Sequence, residues 1–253
     1  MKTRAAVLHE MGAKKPYKES KPLKIEYLEL DNPSEHEVLI KIHAAGLCHS
    51  DLSVINGNRP RPLPMALGHE ASGEVIKVGK AVTRVSEGDH VVCTFIPSCG
   101  KCIPCKEGRP ALCENGAISN EKGEMLEGGM RLSNDEGKVY HHLGISGFAE
   151  YSVVSENSIV KIDKKIPFER AAAFGCAIIT GIGAVVNTAQ IRSGSNVAVV
   201  GLGGIGLNAI IGAKLAGANE IIALDINEDK FELAKQFGAT DRKSTRLNSS
   251  HVI

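Results

Sequence analysis

Four cysteines, Cys99, Cys102, Cys105 and Cys113, stand in the pattern C-x2-C-x2-C-x7-C. This spacing limits what the chain can fold around more than any other feature. Two-residue gaps let neighbouring thiolates turn back onto one ion, and the longer gap lets the backbone wrap it. Four soft sulfur ligands in a tetrahedron are what a structural zinc requires. Gly100, Lys101 and Gly108 suit a tight loop, and the nearby lysines favour deprotonated sulfur. Four core cysteines without a ligand are a weaker account of such regular spacing. An iron–sulfur cluster of the bacterial ferredoxin type places its fourth cysteine after three residues, with proline next; here seven intervene and Glu114 follows, so zinc leads.

Composition narrows the class. With 43% hydrophobic and 23% charged residues over 253 positions, the chain can close an ordinary globular core. A net charge of +1 gives no pull toward nucleic acid or an anionic membrane, and the absence of Trp disfavours a base-stacking surface. The N-terminus is too polar for a signal peptide. The longest apolar run, residues 171–186, is shorter than the roughly 20 residues of a membrane crossing and contains Gly175, Gly181 and Gly183. A cytoplasmic protein with small-molecule partners is expected, no nucleic acid and no membrane among them. Thiols stay reduced in that compartment, so seven cysteines point to metal rather than disulfides.

Along the chain, the first 160 residues are strand-rich. Residues 38–42, 73–79, 90–93, 151–154 and 159–162 read as short strands punctuated by turns, as in a compact barrel. Past Pro167 the pattern changes. Residues 168–174 and 181–189 read as helices, and 196–200 as a fully apolar strand of the kind found in sheets covered on both faces. A helix over 205–215, a strand over 220–224 and an amphipathic helix over 228–237 follow, the last with Phe231, Ala234 and Phe237 on one side. Strand, helix, strand, helix is the order of a parallel sheet, with the boundary between residues 163 and 190. The sheet supplies two strands by Asp241, after which RKSTRLNSSHVI shows no periodic apolar face.

Three cysteines lie outside the lobe. Cys93 sits in an apolar strand and reads as a small buried hydrophobe. Cys48 opens Cys48-His49-Ser50-Asp51, and Gly68-His69-Glu70 follows about twenty residues later. Each piece alone is weak. Together with Cys176 they would supply two thiolates and an imidazole, a ligand set that leaves the fourth position of a zinc open. Farther on, Gly201, Gly203 and Gly206 form G-x-G-x-x-G between an apolar strand and a helix, with Asp225 ending the next strand nineteen residues later. In that context the motif is a dinucleotide fingerprint: Gly201 for the turn, Gly203 for close approach of the pyrophosphate, Gly206 for helix–strand packing. Asp225 suits both ribose hydroxyls and would repel a 2′-phosphate. With Ile226 rather than arginine next, NAD is favoured over NADP.

These pieces, in this order, resemble the zinc-containing alcohol dehydrogenases of the medium-chain dehydrogenase/reductase superfamily over residues 1–241. The likeness rests on Gly46-Leu47-Cys48-His49-Ser50-Asp51, Gly68-His69-Glu70, the four-cysteine lobe, Gly175-Cys176 and the glycine loop. It implies an α/β plus β fold: a GroES-like zinc-binding catalytic barrel over residues 1–176, then an incomplete Rossmann doubly wound parallel sheet over 177–241, with 242–253 a non-native tail. It implies two zinc ions per chain, a catalytic one on Cys48, His69 and Cys176 and a structural one on Cys99, Cys102, Cys105 and Cys113. Asp51 and Glu70 would stand behind the catalytic ligands, Asp51 orienting the His69 ring. His49 would contact the NAD pyrophosphate and Lys230 the adenosine ribose. The implied reaction takes a primary alcohol to an aldehyde, with Ser50 accepting the proton while hydride passes to NAD. A truncated zinc-binding fragment without activity is the alternative, because the relatives are longer and complete the sheet. Their homo-oligomer surfaces are expected in the part beyond.

Some positions depart from the family. Ser53 stands where many members carry a relay histidine. Ala117 stands where glutathione-dependent formaldehyde dehydrogenases carry arginine, which counts against a glutathione adduct as substrate. Cys176 replaces the glutamate typical of polyol dehydrogenases, which favours the alcohol branch. Phe95, His142 and Leu143 match pocket-lining positions and suggest a partly apolar slot, with plain core packing as the equal alternative.

Overall fold

A computed structural model describes residues 1–244, and the chain divides between Gly175 and Cys176 into two compact units. The first unit is built from β1 (Lys2–Leu8), β2 (Leu23–Leu30), β3 (Glu37–Gly46), β4 (Met65–Ala66), β5 (Glu70–Val78), β6 (His90–Cys93), β7 (Leu132–Asn134), β8 (Gly137–His141), β9 (Tyr151–Ser155) and β10 (Ile159–Lys161). Its longer helices are α1 (His49–Ile55) and α2 (Glu114–Lys122). Strands β1, β2, β7, β8 and β4 close a barrel, and the other five form a sheet in the order β10-β6-β5-β3-β9. All five strands expected in this first part of the sequence are in that sheet.

Strand β3 of the sheet faces both cores, its side chains alternating between them. Leu39 joins Val7, Leu28, Leu132 and Val139 in the barrel core, while Val38 and Ile40 join Val75, Val91 and Ile159 on the other side. Fully burying each such side chain contributes about 1.5–3 kcal/mol. A one-residue slip of β3 would exchange the two sets. A buried ion pair adds direction: Arg131, just before β7, grips the fully buried Glu37 of β3 through Nε and Nη2, both at 2.8 Å. Bidentate guanidinium–carboxylate pairs fix geometry in a way a single contact does not.

The second unit opens with α3 (Ala177–Gly183), which continues into a π-helical turn, Ala184–Thr188. Then come β11 (Asn196–Val200), α4 (Gly204–Leu215), β12 (Glu220–Asp225), α5 (Phe231–Phe237) and β13 (Asp241–Ser244). The three strands are parallel, in the order β11-β12-β13. Two expectations are corrected here. The sheet has three strands among the described residues, not two, because residues 241–244, polar as they are, pair with β12 over Ile222 to Asp225. Part of the segment read as a tail therefore lies in the sheet, and its remaining residues, 245–253, lie outside the described residues. Among the described residues, the sheet is also not covered on both faces. Val199, Ile221 and Ala223 pack with Ile210, Phe231 and Ala234, whereas Ala198 and Val200 are exposed, Val200 at 75%. Parallel strands bury both faces only where crossover helices lie on both sides. Among the described residues, no single helix is long and apolar enough to cross a membrane.

The end of β8 carries a buried histidine whose role is structural. His141 is fully buried; Nε2 accepts the Arg131 N–H at 3.0 Å, so Nδ1 carries the proton, 3.1 Å from Ser146 Oγ. Burial, then the nearby Arg131 charge, pushes its pKa down to about 3 from 6.5. The folded protein holds this ring neutral where the unfolded chain would protonate it. Its stabilisation is complete above pH 6.5 and is lost as pH falls toward 3. Each bound proton contributes a slope of up to about 1.4 kcal/mol per pH unit. Urea unfolding of wild type and His141→Gln should show a stability gap that is widest near neutrality and narrows from pH 6 to pH 4. A gap independent of pH would contradict this account.

Candidate metal centres and nucleotide loop

Strand register explains why Cys48 and His69 meet. In the β3–β5 ladder Gly46 lies opposite Glu70, and Cys48 and His69 fall just beyond the paired ends. A Cβ on Gly46 would collide with the Glu70 carboxylate, so glycine is what lets the buried Glu70 lie there. Cys48 precedes α1, and Asp51, three residues on, reaches back: its Oδ2 accepts the Cys48 N–H at 3.2 Å. Its Oδ1 accepts the Gly68 N–H at 3.0 Å and faces His69 Nδ1 at 3.3 Å. Cys48, His69 and Glu70 each offer a ligand atom within 4.8 Å of the others. Cys176 is buried and opens the second unit, directly after Gly175. Gly175 itself packs so closely that a Cβ would strike the Cys93 carbonyl.

The charges around this site are consistent with a cation. Burial pushes the Asp51 pKa up, yet the adjacent His142 and His69 rings override it and hold the carboxyl far below its ordinary value. Burial pushes the His69 pKa down, but Asp51 and then Cys48 raise it to about 9. The ring thus sits among groups that favour positive charge beside it. His142, expected to line an apolar slot, is buried with Nδ1 3.0 Å from Asp51 Oδ1, and burial lowers its pKa. Nothing in the spacing of the sequence signals that contact, because His142 follows a strand from the other layer. Phe95 stands edge-on to His69 at 6.2 Å, and Leu143 is buried with φ 54°. Ser50 is half-buried on α1. His49 is exposed, with Nδ1 3.4 Å from Ser53 Oγ, and that hydroxyl donates to the His49 carbonyl at 2.9 Å. Cys93 is fully buried, and burial pushes its thiol up to about 12, as suits an inert core residue.

The other four cysteines converge as the spacing requires, with all sulfur atoms within 4.8 Å. Gly100 and Gly108 take positive φ, +73° and +76°, to turn the loop. Two of the sulfurs accept N–H bonds: Cys113 Sγ from Cys99 and Gly116, both at 3.3 Å, and Cys99 Sγ from Cys102 at 3.4 Å and Asn115 Nδ2 at 3.2 Å. Such bonds favour thiolate. The Lys101 N–H is the largest contribution lowering Cys99 to about 6, whereas desolvation and neighbouring sulfurs raise Cys105 to about 12. Four crowded thiols cannot all ionise without a shared cation, so the donor set fits a tetrahedral metal.

In the second unit the three loop glycines differ in kind. Gly201 takes φ +91°; a Cβ on Gly206 would collide with the Gly201 carbonyl; a Cβ on Gly203 would meet nothing, leaving open space before α4. Asp225 ties this loop to the end of β12. Its Oδ2 accepts the Leu202 N–H at 2.7 Å and lies 3.0 Å from Lys230 Nζ, while Oδ1 accepts the Asn227 N–H at 2.8 Å. The Asn227 N–H, then that of Leu202, holds its pKa down at about 2.

Residues 34–164 match the family model of the alcohol dehydrogenase GroES-like domain, and residues 204–247 match that of the zinc-binding dehydrogenases, past the point where the sequence likeness was expected to end. The chain is 46% identical over 242 residues to the S-(hydroxymethyl)glutathione dehydrogenase of Synechocystis sp., covering 95% of this chain and 63% of that protein. It is 48% identical over 222 residues to the alcohol dehydrogenase class-3 of Drosophila melanogaster, covering 87% and 59%. It thus spans about three fifths of the length of these curated relatives. Among solved structures, the benzyl alcohol dehydrogenase of Acinetobacter calcoaceticus superposes with a TM-score of 0.88 at 37% identity, covering 99% of this chain and 66% of that one. The chain belongs to the zinc-containing alcohol dehydrogenases of the medium-chain dehydrogenase/reductase superfamily.

Proposed function

We propose that the chain carries the catalytic barrel and the adenosine-binding part of an NAD-linked zinc alcohol dehydrogenase that oxidises a primary alcohol to an aldehyde. The observation that supports it best is Asp51 on His69 Nδ1: a ring held there offers Nε2, as metal-bound histidines do. Cys48, His69 and Cys176 would hold the catalytic zinc, and Cys99, Cys102, Cys105 and Cys113 the structural one. Bound zinc would supply Lewis-acid stabilisation of charge developing on the substrate oxygen, and NAD would accept the hydride. The protein's own part is positional. Ser50 Oγ would accept the alcohol proton as its own hydroxyl proton passes outward to solvent. Gly203 leaves room for the pyrophosphate, which His49 meets from α1. Asp225 receives the ribose hydroxyls and disfavours a 2′-phosphate, and Lys230 steadies that carboxylate and the ribose. Glu70 and Asp51 stand behind the ligands. A cytoplasmic setting and a homo-oligomeric full-length protein belong to the same reading.

Two substrate classes appear in the relatives' names, a glutathione adduct and benzyl alcohol. Ala117, exposed on α2, offers no cation for a glutathione carboxylate, which favours a simple alcohol. A second reading is a fragment that takes up zinc but turns over no alcohol, and the exposed Ala198 and Val200 on the sheet favour it. NADH formation across a panel of primary alcohols, together with S-hydroxymethylglutathione, decides between them.

Cys176→Ser should lower zinc content from two ions per chain to one and abolish alcohol oxidation, leaving the four-cysteine centre loaded. Full turnover in that variant would remove the assignment. Asp225→Ser should weaken NAD binding on the order of tenfold or more, the effect of losing a charged acceptor, and narrow the preference over NADP. Titrations showing the same preference as wild type would argue that the ribose is read elsewhere.

A further inference from the structure

His142 is a buried polar side chain to which the proposed chemistry assigns nothing. It directly follows β8, is 1% exposed, and stands edge-on to His69 with ring centroids 5.3 Å apart and planes at 87°. Its Nδ1 is 3.0 Å from Asp51 Oδ1, and Asp51, His69 and His142 all present polar atoms within 4.8 Å. That oxygen already accepts the Gly68 N–H and faces His69, so the His142 nitrogen meets it off line, and it has no aligned hydrogen-bond partner. A buried imidazole with one nitrogen against a carboxylate, where an apolar residue would fill the space equally well, has a polar task.

We propose that His142 is a positioning residue for the catalytic metal: its Nδ1, 3.0 Å from the Asp51 oxygen that faces His69, confines that carboxylate, so that the His69 ring keeps one direction for Nε2. Three segments of the first unit then hold one carboxylate: Cys48 at the start of α1, Gly68-His69 before β5, and His142 after β8. The inference rests on the reading of Cys48, His69 and Cys176 as the ligands of that metal. Removing the His142 donor leaves Asp51 with freedom to tilt, and a tilted carboxylate loosens the imidazole rather than removing it. The consequence is a faster metal off-rate with the ligands all present.

Release of zinc from the loaded protein to a chromogenic chelator tests this, with the four-cysteine ion as internal reference. His142→Phe keeps a ring and removes the donor; it should speed release of one ion about tenfold, the low end of the effect of outer partners of metal ligands, and leave the other unchanged. His142→Asn carries an amide N–H near the Nδ1 position and should restore slow release despite its smaller volume. In cobalt-substituted protein, His142→Phe should also shift the visible bands of the one centre only. Wild-type release in His142→Phe while Asp51→Asn is fast would overturn the proposal and leave the site reading intact. Equally fast release in His142→Asn and His142→Phe would reduce His142 to packing and overturn it too. Unchanged release in Asp51→Asn as well would overturn the reading of the site itself.

Discussion

Asp51 is a buried carboxylate, and a buried carboxylate is tolerated only where donors surround it. The fold satisfies it with the local Cys48 N–H and, from farther along the chain, the Gly68 N–H and His69, with His142 packed beside them. Desolvation of an unpaired charge here would cost several kcal/mol, so the same contacts that orient the candidate ligand His69 also close the domain. Stability and the candidate site are therefore not separable at this position. The short α1 exists to deliver this carboxylate. Its third residue is the one whose side chain reaches back to the N–H ahead of the helix, the geometry of one half of a capping box.

The β3–β5 ladder carries that arrangement into the rest of the first unit. Its register sets Gly46 against Glu70 and so brings Cys48 and His69 together across about twenty residues of chain. The same ladder is fixed from below by Leu39 on one face and Val38 with Ile40 on the other. Slippage would move apolar side chains into the wrong layer and part the candidate ligands in one step. The Arg131–Glu37 clamp holds the other end of β3 to the barrel through two charge-assisted hydrogen bonds.

What could be read in the sequence was what is local. The four-cysteine lobe, the glycine loop and Asp225 each occupy a short window, and the structure gathers each of them as spaced. The sheet strands β3, β5, β6, β9 and β10 were legible because they are apolar and bounded by turns. The barrel strands were not: β4 has two residues, β7 three, and β1 opens with Lys2-Thr3-Arg4, whose alternation is visible only once Thr3 is known to face inward. β13 has no apolar pattern at all, and pairing along β12 alone defines it. His142 shows the same limit at the site. Its partner lies in a different layer, and no spacing rule connects residues 51 and 142. The bare face carrying Ala198 and Val200 was misread because an apolar run reports what could be buried, not what covers it.

Asp225 repeats the logic of Asp51 in the second unit. Both carboxylates accept backbone N–H groups from a segment distant in sequence. Asp51 is held ionised against its burial by His142 and His69, and Asp225 by the N–H groups of Asn227 and Leu202. In each case a loop that must present itself to a ligand is tied by an acid rather than by packing, since glycine-rich or tightly turning segments have few side chains to pack. For Gly201 to Gly203 the tie is the Leu202 N–H; for Gly68 it is the peptide N–H one residue before His69. A loop ordered this way before a ligand arrives loses less conformational freedom on binding, so more of the contact energy remains as affinity. The cost is sensitivity: each tie is one charged group, and neutralising it releases the loop that carries the candidate site.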